Sequence, residues 1–235
     1  MKKLISFLVV LVLSTTMFGI TNAKQKVTLL MDWFPQGNQS GFWQAQFDNQ
    51  YHDDVEITVK SGGPKVNTTS AVASGQVEFG LQASDSVMMA NAKGAGLKGI
   101  FVSLNHVPYT LVYHPNTGVN SVKDLDGRPF AVKMGVTYWK WVKHTYQLND
   151  VKEFPLTGDL GLFARTPQQF QQGYSLFLPA RLDAKGVANE QITVESLGYR
   201  PYSVLFTTDK MIKENRELVQ PVVDRVTISC HNSFD

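Results

Sequence analysis

Residues 55–104 read VEITVKSGGPKVNTTSAVASGQVEFGLQASDSVMMANAKGAGLKGIFVSL, and their pattern decides the fold. Val55–Lys60 alternates apolar and polar residues, the two-residue period of a half-buried strand. Ser61–Pro64 breaks that strand with two glycines and a proline. Asn67-Thr68-Thr69 is a capping cluster ahead of a short helix that Gly75 ends. Val77–Gln82 reads as a further strand. Ser84 or Asp85 caps the helix that follows it, and Leu97–Leu104 returns to strand. Upstream, Val27–Met31 is a buried-strand pattern, Pro35, Gly37 and Asn38 mark a turn, and a helix starts near Phe42.

Alternation of strand and helix with short loops implies a mostly parallel α/β sheet. Ligands of such sheets sit at the carboxyl ends of the strands, beside helix N-termini. Three loops of that kind, 35–41, 61–69 and 83–86, carry Gly, Ser, Thr or Asn. Trp33 stands at the mouth of the first, so these loops and Trp33 are expected on one cleft edge.

Downstream, Pro108–Pro115 looks extended and fits a crossover. Val119–Val132 gives a helix-and-turn and then a strand. Gly135–Tyr138 opens a helix with clustered Tyr138, Trp139 and Trp141. The segment QQGYSLFLPARLDAKG is expected to end a helix at Gly173, and Tyr199–Thr208 is extended enough to cross back. Two crossovers around an inserted segment predict two α/β lobes: 24–111 with 200–235, and 112–199.

The N-terminus predicts export. Lys2 and Lys3 precede the apolar run Leu4–Leu13, and Thr21-Asn22-Ala23 has the small residues of a cleavage site, so 1–23 reads as a signal peptide. That run is shorter than the ~20 residues needed to cross a bilayer. Of 22 Lys+Arg and 20 Asp+Glu, the signal holds two lysines and no acid, so the mature chain balances at 20 against 20. No basic run points to nucleic acid or an anionic membrane. The single cysteine, Cys230, excludes an internal disulfide framework. Five scattered histidines form no HxH or HExxH pattern, so no metal site is expected. The loop at Ser61–Pro64 lacks the GK[ST] ending of a nucleotide-binding loop, and no GxSxG elbow is present.

Several stretches in order, LLMDWFPQGNQSGFWQAQ, SGGPKVNTTSAVASGQVEFG, SVKDLDGRPFAV, TYWKWVKHTYQL, QQGY and KMIKENRELVQPVVDR, resemble the periplasmic substrate-binding proteins of ABC importers, in their thiamine-pyrimidine/taurine/nitrate-like group. The resemblance covers most of 26–225. It implies a type II periplasmic-binding fold, with two α/β lobes joined by two crossover strands and closing on one solute. It implies no catalytic residue, cofactor or metal. The implied partners are a small-molecule solute and an inner-membrane ABC permease, and the implied protein is a periplasmic monomer. The ligand-binding residues it implies are Trp33, Asn67, Thr68, Ser84, Tyr138, Trp139 and Tyr174. The aromatic set favours a flat nitrogen heterocycle such as a thiamine-pyrimidine precursor. Taurine, a sulfonate or nitrate is the alternative, although no arginine falls in an expected cleft loop, with Arg128 and Arg181 placed elsewhere. The same fold family includes pyridoxal-phosphate pyrimidine synthases with a Lys and a His in the cleft, but those are intracellular.

Plainer readings stand beside these. Met88, Met89 and Trp141 suit a core, Asp32 a structural acceptor near a strand end, and His106 and His114 surface or structural roles. Two departures from the family pattern also count. Leu178 and Ala180 stand where the family has Glu and Tyr after QQGY. The ending VTISCHNSFD is polar and aperiodic, which reads as truncation of C-terminal helices. That ending carries the expectation of a less stable, non-functional remnant as a further alternative.

Overall fold

A computed structural model describes residues 24–48 and 54–233; the expected signal peptide, 1–23, lies outside them. The first lobe contains β1 (Gln25–Leu30), α1 (Ser40–Ala45), β2 (Val55–Lys60), α2 (Thr68–Ala73), β3 (Phe79–Ala83), α3 (Ser84–Asn91) and β4 (Leu97–Leu104). The second contains β5 (Tyr109–Tyr113), β6 (Pro129–Val132), α4 (Thr137–Tyr146), β7 (Lys152–Pro155), α5 (Leu160–Arg165), β8 (Phe170–Tyr174), α6 (Leu178–Asp183) and β9 (Glu190–Thr193). The chain then returns through β10 (Ser203–Thr208), α7 (Asp209–Glu214) and α8 (Arg216–Asn232) to the first.

Each lobe holds a five-stranded sheet, in the orders β2-β1-β3-β10-β4 and β7-β6-β8-β5-β9. Both follow one plan. Three parallel strands form one side. The fourth position is filled by an antiparallel strand that has just crossed from the other lobe: β10 against β3 and β4, and β5 against β8 and β9. The sheets are therefore mixed rather than mostly parallel. Each crossover ends in an interior strand, hydrogen-bonded on both sides. Tyr109–Leu111, assigned above to the first lobe, are strand in the second sheet, so the passage lies between Leu104 and Tyr109.

The alternating sequence of β2 places Val55, Ile57 and Val59 in the core and leaves Glu56, Thr58 and Lys60 exposed. They join Val27, Leu29, Phe79 and Leu205 in one cluster. The second lobe has its own core, around Leu111, Leu125, Phe130, Val142 and Phe170. Burying apolar area at about 25 cal/mol per Å² drives both.

Three expectations are corrected here. The ending is not aperiodic: residues 226–232 continue α8, where Val219, Val222 and Val226 are buried in the first core and Ser229 is fully covered. A Cβ on Gly41 would lie 2.4 Å from the Cys230 Cα, so Gly41 lets α1 and α8 touch backbone to backbone. Gly173 does not end a helix; it lies in β8, where a Cβ would meet the Leu178 side chain at 2.3 Å. Met88 and Met89 are 71% and 46% exposed and belong to no core.

Candidate functional site

A cleft of about 650 Å³ lies between the lobes and is lined from both. Its first-lobe wall begins where β1 ends. Met31 N–H donates to the Lys60 carbonyl at 2.9 Å, and Gly62 N–H to the Trp33 carbonyl at 3.0 Å. A Cβ on Gly62 would sit 2.1 Å from the Met31 carbonyl oxygen. A glycine is therefore required for the Ser61–Pro64 loop to lie against residues 31–33, and that contact holds Asp32 and Trp33 at the cleft.

Trp33 is half-buried, with Phe34 edge-on at 5.6 Å. Asp32 lines the cleft yet is 8% exposed. Its Oδ1 accepts from Gln39 Nε2 at 3.1 Å and its Oδ2 from the Tyr174 hydroxyl at 3.4 Å. Burial raises its carboxyl to about 6, against the pull of Lys133 and of these hydrogen bonds. Lys133, one residue past β6, reaches across the cleft. Its Nζ donates to the Asp32 and Val66 carbonyls at 3.4 and 3.2 Å and lies 5.6 Å from the Trp33 ring centroid. Burial lowers its ammonium, and Asp32 partly offsets that. Gln172 Oε1 accepts from the Lys133 backbone N–H at 2.7 Å and fixes where this lysine leaves β6.

Tyr174 and Tyr109 complete the floor, edge-to-face at 5.6 Å. Burial pushes both hydroxyls well above their ordinary range, Tyr174 with help from neighbouring Asp32. Both therefore act as neutral donors and acceptors. Among the described lining residues the charges are Lys65, Lys93, Lys133, Lys140 and Arg181, against the single acid Asp32.

Of the seven expected ligand residues, Trp33, Asn67 and Tyr174 line this cleft. Asn67 also caps α2, its Oδ1 accepting from Ser70 N–H at 3.1 Å. The other four do not line it. Thr68 is fully buried and donates to the Met31 carbonyl at 3.4 Å, behind the wall. Ser84 is the first residue of α3 rather than its cap; its hydroxyl accepts from Tyr202 N–H at 3.1 Å and ties α3 to the returning chain. Tyr138 and Trp139 lie on the face of α4 that covers their own sheet. Tyr138 stacks on Tyr109 at 4.3 Å, and Trp139 meets Phe130 edge-on at 4.7 Å. A helix turns 100° per residue, so its sheet-facing positions cannot also face a cleft at its tip.

Asp32, Tyr109, Lys133, Gln171, Gln172 and Arg181 line the cleft but were absent from the expected set. Arg181 reaches it from α6, contrary to its expected placement. Lys133 carried a readable signal, the first residue beyond a strand end. Tyr109 and Arg181 carried none. His106 pairs with Glu195 at 3.1 Å and His114 Nε2 lies 2.8 Å from the Phe163 carbonyl, both away from the lining. Among the described residues no group of three His, Cys, Asp or Glu could hold a metal ion.

A family model described as NMT1/THI5 like matches residues 38–231. The 4-amino-5-hydroxymethyl-2-methylpyrimidine phosphate synthase of Legionella pneumophila is 27% identical over 111 residues, 47% of this chain. The match spans 35% of that curated relative's length. The alkanesulfonate-binding protein SsuA of Xanthomonas axonopodis pv. citri, bound to MOPS, aligns with TM-score 0.68 at 17% identity, covering 88% of this chain and 73% of that one. The periplasmic aliphatic sulphonate binding protein SsuA of Escherichia coli aligns with TM-score 0.66 at 14% identity, covering 88% and 69%. At these identities the likeness is one of fold: the two lobes have the type II periplasmic-binding architecture.

Proposed function

The chain belongs to the NMT1/THI5 like family, whose model spans residues 38–231, and from that premise we propose that it is the periplasmic solute-binding component of an ABC import system. Its lobes, dividing near 105–108 and again near 194–202, close on one small molecule. The liganded monomer then docks on an inner-membrane permease. The observation that carries this reading is the interlobe cleft itself, with Trp33 offered from one lobe and Tyr174 from the other. Clefts that join aromatic walls to a few convergent polar groups suit small organic ligands. Hinge closure converts occupancy into a shape a permease can read.

A thiamine-pyrimidine-like heterocycle is the solute we favour. The Trp33 face suits a flat ring, and Asp32, Gln171 and Gln172 suit ring nitrogens and amines. The excess of cleft cations favours a second reading, an alkyl sulfonate, taurine or nitrate, drawn in by a positive field. The pyridoxal-phosphate synthase reading needs a lysine and a histidine together. The described lining offers Lys65, Lys93, Lys133 and Lys140 but no histidine, so its residues do not fit that chemistry.

A thermal-shift screen of the chain from Lys24 onward tests this. Ligand at about 100 times its Kd adds roughly 2.7 kcal/mol, a rise of several degrees for a chain of this size. A shift with aminopyrimidines supports the favoured solute; a shift with sulfonates alone selects the second reading. An absorbance band from bound pyridoxal phosphate would restore the enzyme. No shift with any class would end the binding-protein reading.

A further inference from the structure

Tyr138 is 0% exposed, yet its hydroxyl has no hydrogen-bond partner among the described residues. A buried hydroxyl left so costs free energy. Burial pushes it well above the ordinary tyrosine range, and the Asp85 charge, from the other lobe, adds to this. Asp85 is the second residue of α3, and the lobes meet there. Helix α3 lies against α4, and Ala83, the residue before α3, packs in the second lobe's core. Asp85 Oδ1 accepts from Ser86 N–H at 2.6 Å and Oδ2 from the Tyr199 hydroxyl at 2.8 Å. Tyr199 belongs to the returning passage near 194–202 and leans on Trp141 of α4, with 4.9 Å between ring centroids. Asp85 thus holds a hinge residue, while the buried hydroxyl of Tyr138, also on α4, goes unmet.

We propose that Asp85 is a switch of lobe closure, its Oδ2 passing from the Tyr199 hydroxyl in the present arrangement to the Tyr138 hydroxyl as the lobes close. Ser86 and Met89 of α3 line the cleft across from Thr137 and Lys140 of α4. Closure brings these two helices nearer and carries Tyr138 toward Asp85. Ser86 N–H keeps Oδ1, so two hydroxyls compete for one oxygen. One bond to a carboxylate replaces another, the near-balance that a two-state element needs. The balance tips toward closure because Tyr199 is half-buried and its released hydroxyl can turn to water, whereas Tyr138 has no such recourse. Tyr138 is stacked on Tyr109 at 4.3 Å, and Tyr109 lines the cleft. The new bond therefore ties the angle between the lobes to the floor that a solute touches. This rests on the lobes closing, as read above, and not on which solute they hold.

Spin labels at Thr58→Cys and Lys185→Cys, exposed positions of the two lobes, test this in a Cys230→Ala background. Pulsed electron resonance reads the interlobe distance in the chain alone and with excess 4-amino-5-hydroxymethyl-2-methylpyrimidine or taurine. The chain with native tyrosines should show a long and a short distance. Tyr138→Phe should cut the ratio of short to long roughly fivefold, and Tyr199→Phe should raise it by a similar factor. Lost packing alone would move both variants the same way. In the double variant the rise from Tyr199→Phe should vanish, since no hydroxyl is left to take the freed oxygen. Equal ratios in all the chains, or shifts of one sign in both single variants, overturn the switch and leave the binding-protein reading standing. A single distance under every condition overturns closure, and the switch with it. If Tyr138→Phe does not fold, the sign in Tyr199→Phe decides.

Discussion

Trp33 and Trp139 both follow strands that point toward the cleft, yet only one reaches it. Trp33 lies three residues past β1, in irregular chain before any helix starts, and it is half-buried against open space. Trp139 lies seven residues past β6, already the third residue of α4, and is 2% exposed on the sheet-facing side. In a loop, the side chain's direction is set by what the backbone is pinned to, here the close approach of Gly62. In a helix it is set by phase, and an apolar residue is turned toward the core it helps to close. The two tryptophans therefore carry different energies: one belongs to stability, the other to binding.

The sharpest way to break this contrast is Trp139→Ala. It should cost about 3–5 kcal/mol of unfolding free energy, as for a large core side chain removed beside Phe130. Denaturant unfolding reads it directly; a stable variant with weakened ligand binding would place Trp139 in the site instead.

Next comes Asp32→Asn. The carboxyl is raised from 3.8 unfolded to about 6 folded. The stability tied to its protonated form is fully present below about pH 4 and is lost as the pH rises through about 6. The asparagine variant should thus match the wild type near pH 4 and exceed it at pH 7.5 by up to about 3 kcal/mol. Melting midpoints across that range check the sign. A variant less stable than wild type at pH 7.5 would mean that the Lys133 attraction outweighs burial.

Trp33→Ala should leave the midpoint near that of wild type while removing about 0.5–1.5 kcal/mol of binding to a flat ring, beyond lost area. Equal losses in stability and affinity would erase the distinction between the two tryptophans. The smallest effect belongs to Tyr174→Phe. It deletes one long bond to Asp32 across the lobes and should change stability by less than about 0.5 kcal/mol. A larger fall would show that this contact already holds the lobes together without ligand.

Much of the fold was legible because its signals are local. Val55–Lys60 and Leu97–Leu104 are strands over the stretches their composition marks, and Asn67 caps α2 as its place before the helix suggests. The end of the chain misled because its buried stripe, Val222, Val226 and Ser229, includes a small polar residue whose hydroxyl donates to Asp48 at 3.5 Å, a partner far away in sequence. QQGY misled because two glutamines rarely mark a buried strand; here Gln171 and Gln172 are covered within β8 and also line the cleft. In the site, Trp33 stood out as an aromatic at a turn. Arg181 did not, since arginine is expected in water until a second lobe faces it.

The sequence by itself determined the alternation of strand and helix, the two lobes and the family, since hydrophobic period, turn residues and caps act over a few neighbours. Tertiary structure alone decided which aromatics face the cleft, that β5 and β10 lie antiparallel within sheets of the opposite lobe's making, and that Asp32 is buried beneath Lys133 and Tyr174. The contacts of Asp32 join residues more than 100 positions apart, and no local pattern encodes the burial that raises its carboxyl.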